Sequence, residues 1–320
     1  MSEQIRADFF CVSLPNNIGT LKQSVPVINE FYDYPVISIV CPDHSVNEFI
    51  HELGHHKNIK FIQESELISS KEFQSLVEKY AAYLMIGTNE IERVNWYYQQ
   101  ALKTSFALQY AQSERSIVML DADTILLNKI EFFSNGRSKL YGSMSEYNAP
   151  YFQTLETVLS QLPNHFLAFT VQFFSCTASE AKYLEGLLKN YHSKDEKLSY
   201  SEWISTIIIK SVMSRHHAFK PALFSEQELF GLSNKIYAGG KQEKILHLRF
   251  GLNGPLDSAQ MKFIKRLGFR HLTYEPVQQF INKRQAWISL IMHAFRELYR
   301  QRSGKIIRKA KRRIALLEAR

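Results

Sequence analysis

Apolar and polar positions alternate through the first sixty residues in a way that predicts strands and helices in turn. Phe9–Leu14 reads as a strand ending in Pro15-Asn16-Asn17, Ile18–Phe31 has helical spacing, and Val36–Cys41 is a second strand closed by Pro42-Asp43. Ser45–Leu53 is a short helix that stops at Gly54, and Ile59–Ile62 a third strand. A β-α-β-α-β order argues for a parallel, Rossmann-like sheet.

The clearest helix is Asn89–Gln112, with Asn89 and Glu92 spaced as a capping box. Ile91, Val94, Tyr98, Ala101, Leu102, Ser105 and Leu108 fall on one face, and Trp96, Gln99, Gln100 and Lys103 on the other. The wholly apolar run Ile117–Leu120 follows, the signature of a strand buried on both faces. Beyond it the pattern predicts a strand over Lys139–Ser145, a loop over Glu146–Tyr151, a helix over Phe152–Leu162 and a strand over Phe166–Ser175. Helices over Ala178–Tyr191 and Tyr200–Met213, a helix start at Ser225, and a strand Lys244–Phe250 carrying His247 complete this part. Gly251–Pro255 is the linker candidate, dividing a main domain of residues 1–255 from a helical, basic C-terminal region of residues 256–320.

Charge sharpens that division. The net charge is +8, but residues 283–320 hold twelve Lys/Arg and two Glu, which leaves −2 for the rest. The basicity therefore belongs to a tail and argues against a nucleic-acid-binding main domain. Cys11, Cys41 and Cys176 read as buried free thiols in a reducing compartment. No secretory leader opens the chain and no apolar run reaches bilayer length, so a cytoplasmic location is expected.

Two patterns suggest a metal. His51-Glu52-Leu53-Gly54-His55 satisfies H-E-x-x-H, which needs both His on one helix face. Gly54 ends the helix too early for that, and Asn58 and Phe61 stand where an extended zinc-peptidase motif needs Gly and His. The second pattern is Asp121-Ala122-Asp123, at the end of the buried strand. If the backbone stays extended, the two carboxylates leave a sheet edge on the same side, an arrangement suited to a hard divalent cation bridging to phosphates. A phosphatase-type Asp-x-Asp motif fits less well, because Thr124 comes one place early and Ile125 takes the diagnostic position. Ser225 to Glu228 fits a capping box that leaves Glu226 projecting from a first helical turn, able to act as a base or to bind hydroxyls. His216-His217 and His55-His56 form no usable pattern.

Several blocks together resemble a known group. These are Asn95–Lys103, Val118–Thr124, Ser145-Glu146-Tyr147 with Pro150-Tyr151-Phe152, and Phe224–Gly231. The combination is similar to bacterial GT-A-type glycosyltransferase-like proteins associated with capsule or O-antigen assembly, over about residues 8–250. Asn95 departs from an expected Gly, and Gln227 from an aromatic. The resemblance implies an α/β fold with a mixed, Rossmann-type sheet flanked by helices. It also implies a metal-dependent sugar transferase acting on a nucleotide-sugar donor and a glycan acceptor, possibly lipid-linked. By the same resemblance Ser13, Trp96, Gln99, Gln100, Lys103 and Asp121 bind the donor. Asp121, Asp123 and His247 hold Mn²⁺ or Mg²⁺, and Glu226, then Glu228, is the base if the reaction inverts.

The tail adds one expectation. Phe280, Ile281, Trp287, Ile288, Ile291, Ala294, Phe295 and Leu298 recur at helical spacing, and Arg300–Arg313 is densely basic. A basic amphipathic helix reads as a membrane-surface element, so residues 280–313 predict peripheral contact at the inner face of the cytoplasmic membrane. Docking on the main domain or on a partner protein is the alternative.

Overall fold

The apolar runs of the N-terminal third become strands sealed from solvent. In the computed structural model, β1 (Ala7–Val12), β2 (Ile37–Cys41), β3 (Ile59–Gln63) and β4 (Ser116–Leu120) lie parallel in the order β3-β2-β1-β4. β9 (Phe173–Cys176) closes the far edge antiparallel to β4. The structure describes residues 6–83, 85, 93–143, 146–162, 167–214, 222–250, 256–274, 287–288 and 290–301.

The two-residue period of the strands divides the core. Phe9, Cys11, Ile39, Val118 and Leu120 face α1 (Ile18–Tyr32) and α2 (Val46–Leu53). Phe10, Val12, Val40, Ile117 and Met119 face a larger layer. That layer comprises α3 (Ser70–Tyr83), α4 (Val94–Ala111), α5 (Ala149–Leu159), α6 (Ala178–Tyr191), α7 (Tyr200–Met213) and α8 (Glu226–Ala238). All three cysteines are free and buried.

A second sheet grows from the end of β4. β5 (Thr124–Leu126) pairs antiparallel with β12 (His271–Tyr274), which pairs parallel with β11 (His247–Phe250). α9 (Ser258–Arg266) and a C-terminal helix, at residues 287–288 and 290–301, share a core with this sheet through Leu248, Ile264, Leu272, Leu290, Ala294 and Leu298. β6 (Phe133–Ser134) and β7 (Arg137–Ser138) form a hairpin around Asn135-Gly136, both at positive φ as a tight hairpin turn demands. β8 (Tyr141–Gly142) pairs with β10 (Glu243–Lys244).

Three expectations change. The strand predicted over Phe166–Ser175 is regular only as β9, and the one over Lys139–Ser145 only as β8 with a bridge from Ser143 to Ala168. Helix α4 starts at Val94, after Arg93 in the left-handed region. Residues 256–274 are not purely helical, because β12 is the middle strand of the second sheet. Asn89, Ile91, Glu92, Ser145, His216-His217, Gly251–Pro255, Phe280, Ile281 and the basic run after Gln301 lie outside the described residues. His55 falls beyond the end of α2, and His51 pairs with the neighbouring Glu52 instead, at 3.0 Å.

Gly231 fixes how deeply α8 sits. A methyl group there would stand 2.1 Å from the Phe169 Cγ, a contact that neither ring nor helix can absorb without moving. Gly231→Ala is expected to lose about 1–3 kcal/mol of stability, read from the urea unfolding midpoint. An unchanged midpoint would show that α8 shifts at little cost.

Candidate active site

The strand order reverses between β1 and β4, and the crevice at the carboxyl ends of such strands is where open α/β sheets bind ligands. Asp121 is the first residue past β4 at that point. The backbone does not stay extended as expected. Its N–H donates to the Gln172 carbonyl at 2.9 Å, and a turn closed by Thr124 N–H to the Asp121 carbonyl, also 2.9 Å, leads into β5. Tyr274 N–H donates to the Asp123 carbonyl at 2.9 Å, so the Asp-Ala-Asp turn is pinned from both sheets.

A buried ammonium joins the elements around this turn. Lys103 Nζ, from α4, lies 2.5 Å from Asp121 Oδ1 and 3.0 Å from Glu226 Oε1 on α8. Gln227 Nε2 donates to the other Asp121 oxygen at 3.0 Å. Gln227 Oε1 in turn accepts the N–H groups of Val171 and Gln172, at 2.9 and 2.8 Å. Gln172 has φ +66°, a left-handed conformation unusual for a non-glycine residue, while its N–H engages Gln227 and its carbonyl Asp121.

The first turn of α8 thus turns each polar side chain to a different partner. Glu226 N–H donates to Gln100 Oε1 at 3.1 Å. Glu228 Oε1 accepts the Thr170 N–H at 3.0 Å and its hydroxyl at 2.8 Å. Ser225 Oγ accepts the Glu228 N–H at 3.4 Å, so only half of the expected capping box forms. Irregular backbone over Thr170–Gln172, where a strand was expected, supplies the N–H groups that these side chains require.

Burial sets the protonation of the cluster. It works against the Lys103 charge, but Asp121 and Glu226 more than offset it and hold the ammonium protonated. Burial raises Glu226 as well, opposed by Lys103. Asp123 is pushed up to about 7, first by burial and then by the like charge of Asp121. Glu228 also rises to about 7 through burial, against the backbone of Phe169 and Thr170 and the Thr170 hydroxyl.

His247 sits in a neighbouring group. Its Nε2 is 3.5 Å from Glu146 Oε1, Arg249 Nη1 is 3.0 Å from Glu146 Oε2, and the His271 ring lies nearly parallel to His247 with centroids 5.4 Å apart. Burial opposes ionisation of Glu146, but His247 and Arg249 hold it down at about 2. Among the described residues no three His, Cys, Asp or Glu side chains are grouped to hold a metal. The carboxylate in ion-pair range of the buried His247 imidazole belongs to the loop before α5, and neither ring nitrogen makes a hydrogen bond to a described residue.

The other expected residues divide. Ser13 is buried at the carboxyl end of β1, its hydroxyl donating to the Leu14 carbonyl at 3.2 Å. Gln100 and Lys103 are buried, while Trp96 and Gln99 are half-buried. The Trp96 ring is nearly parallel to Tyr151 at 6.2 Å. Sequence reasoning missed Gln227, Glu146, Arg249 and His271 as parts of the site. Only Arg249 had a usable signal, since it lies two residues from His247 on one strand and so shares its face.

Removing the ammonium alone strands two carboxylates, so Lys103→Met is expected to cost about 3–5 kcal/mol, with part recovered in Lys103→Met/Glu226→Gln, both read by urea unfolding. Asp123 ionises near 3.9 when unfolded and near 7 when folded. The native state therefore binds the extra proton between those values, and its contribution to stability falls as pH rises through that window. Asp123→Asn should gain roughly 1 kcal/mol or more over the parent at pH 8 and nothing at pH 4. Equal stabilities at pH 8 would show that the carboxylate is not strained.

No protein-family model matches the chain, and no curated protein matches it. Among solved structures it is similar to mouse xyloside xylosyltransferase 1, at 12% identity over 76% of this chain and 87% of that one, TM-score 0.40. It is also similar to the galactosyltransferase LgtC in complex with donor and acceptor sugar analogues, at 13% identity over 93% and 99%, TM-score 0.41. A third is the WbbM bifunctional glycosyltransferase, at 11% identity over 94% of this chain, TM-score 0.42. The chain spans about half of WbbM, 52% of its length. Likenesses of this degree name no family for the chain.

Proposed function

We propose that the chain transfers a sugar from a nucleotide-sugar donor to an acceptor hydroxyl, with Asp121 and Asp123 holding Mn²⁺ or Mg²⁺ against the donor's diphosphate. The observation that carries this reading is the carboxylate pair at the carboxyl end of β4, beside the point where the strand order reverses. The donor set fits the cation. Two carboxylates supply hard oxygen ligands, and Asp123 is raised first by burial and then by the charge of Asp121, a repulsion that a cation relieves. Mg²⁺ is commonly held by one or two carboxylates together with substrate phosphates, so a third protein ligand is not required. When bound, the cation supplies Lewis-acid stabilisation of a diphosphate leaving group.

The chain's own residues supply the rest. Lys103 is desolvated and fixed within hydrogen-bonding distance of Asp121, so negative charge developing on a diphosphate there meets a preorganised ammonium. Gln227 fixes the second Asp121 oxygen. Glu226 gives one oxygen to Lys103 and acts as its positioning residue. Glu228, with its ionisation near 7 and its Oε2 in no hydrogen bond, is the better choice for the base of an inverting reaction. Tyr151 feels the charges of both Glu226 and Glu228, and with Trp96 it offers a flat wall to an acceptor sugar.

A panel of nucleoside-diphosphate sugars, assayed for nucleotide release with and without Mn²⁺ and with simple sugar acceptors, tests the proposal. Release from at least one donor is expected to depend on metal and to fall on the order of 100-fold in Asp123→Ala. Metal-independent release, or full activity in Asp123→Ala, overturns the assigned role of the pair.

A further inference from the structure

The C-terminal helix has two apolar faces, one buried and one exposed. Leu290, Ala294 and Leu298 are buried against the second sheet. His293 Nε2 lies 2.5 Å from the Arg249 carbonyl, and Gln301 Nε2 donates to the His247 carbonyl at 2.7 Å. The helix is thereby fastened to β11. On its outer side Ile288 (49%), Ile291 (36%), Met292 (69%), Phe295 (55%) and Tyr299 (74%) are exposed. At 3.6 residues per turn these five positions fall within an arc of about 100°. Scattered exposed apolar residues are ordinary, whereas a continuous stripe of five marks an interaction surface.

Charge decides what fits it. Arg296 is exposed on the same helix beside the stripe, and residues 283–320 carry twelve Lys/Arg against two Glu. A second copy of the chain meeting this stripe would carry the same net charge of +8, which opposes the pairing. An anionic bilayer offers the opposite charge to the basic segment and an apolar layer to the stripe.

We infer that the C-terminal helix is a lipid-docking element, its apolar stripe entering the interface of an anionic membrane beside the basic segment. This stands apart from the sugar-transfer reading and holds or fails without it. Because the helix is bonded to the backbone of His247 and Arg249, docking would set the orientation of the candidate site relative to the lipid surface.

Co-sedimentation of the full chain with phosphatidylcholine vesicles, with and without phosphatidylglycerol, tests this. Binding is expected only with the anionic lipid, weakened by salt, and lowered about tenfold or more in Met292→Glu/Phe295→Glu. Both positions are exposed, so the unfolding midpoint should not change; Met292→Gln/Phe295→Gln gives the same readout should the charged pair unfold. No binding by the parent, or equal binding by parent and variant, overturns the inference. A parent dimer that the variant loses, with vesicle binding unchanged, assigns the stripe to a second copy instead.

Discussion

A lysine ammonium withdrawn from water is stable only where carboxylates replace its hydration. Lys103 meets that condition by lying between Asp121 and Glu226, and this places three elements at once. Helix α4 must present position 103 to the end of β4, and α8 must start with its first turn against both. Gln100, one turn earlier on α4, takes the Glu226 N–H and fixes the same approach from a second point. The contact of Gly231 with Phe169 then sets the depth of α8 on the sheet.

From that ion pair the irregular parts of the fold follow. Gln227 holds Asp121 with its amide N–H, leaving its carbonyl for the backbone of Val171 and Gln172. Those residues leave the β9 ladder to meet it, and Gln172 takes a strained, left-handed conformation in doing so. The Asp-Ala-Asp turn, bonded to Gln172 on one side and Tyr274 on the other, is also where the chain passes from one sheet to the next. Strain, sheet crossing and charge therefore concentrate in one place.

The regular elements were readable because each answers to a local period. The apolar runs of β1, β2 and β4, the helices α6 and α7, and the Gly54 stop all follow from spacing alone. The Asp pair was readable for the same reason, as polar residues ending a run that is otherwise buried. Its partners were not. Lys103 and Gln100 read only as the face opposite the apolar one, because helical spacing reports which residues share a side, not what covers it. His247 was assigned to the Asp pair, while the structure sets it against Glu146, a pairing across about a hundred residues that no local pattern encodes. Gln227 read as a departure from an aromatic, yet it makes three of the hydrogen bonds that define the site.

What the site leaves unbalanced bears most directly on its chemistry. Three carboxylates, from Asp121, Asp123 and Glu226, lie about Lys103, which is in direct contact with the first and the last, and Glu228 follows in the same turn of α8, against Thr170. Lys103 pairs with Asp121 and Glu226, although burial still raises Glu226, and Asp123 and Glu228 are pushed up to about 7. Folding alone gains nothing from that excess, since an amide at either position would keep the shape without the like-charge repulsion. A site that carries such strain is poised to bind something that removes it, and the two strained groups differ in what would do so. Burial is the leading cause for both; at Asp123 the charge of Asp121 adds to it, a contribution that a cation would relieve, whereas at Glu228 burial is opposed by the backbone of Phe169 and Thr170 and the Thr170 hydroxyl, and protonation relieves it. The turn after β4 and the first turn of α8 thus each carry a carboxylate that burial holds toward its protonated form, which is what the proposed metal-assisted transfer to a hydroxyl would draw on.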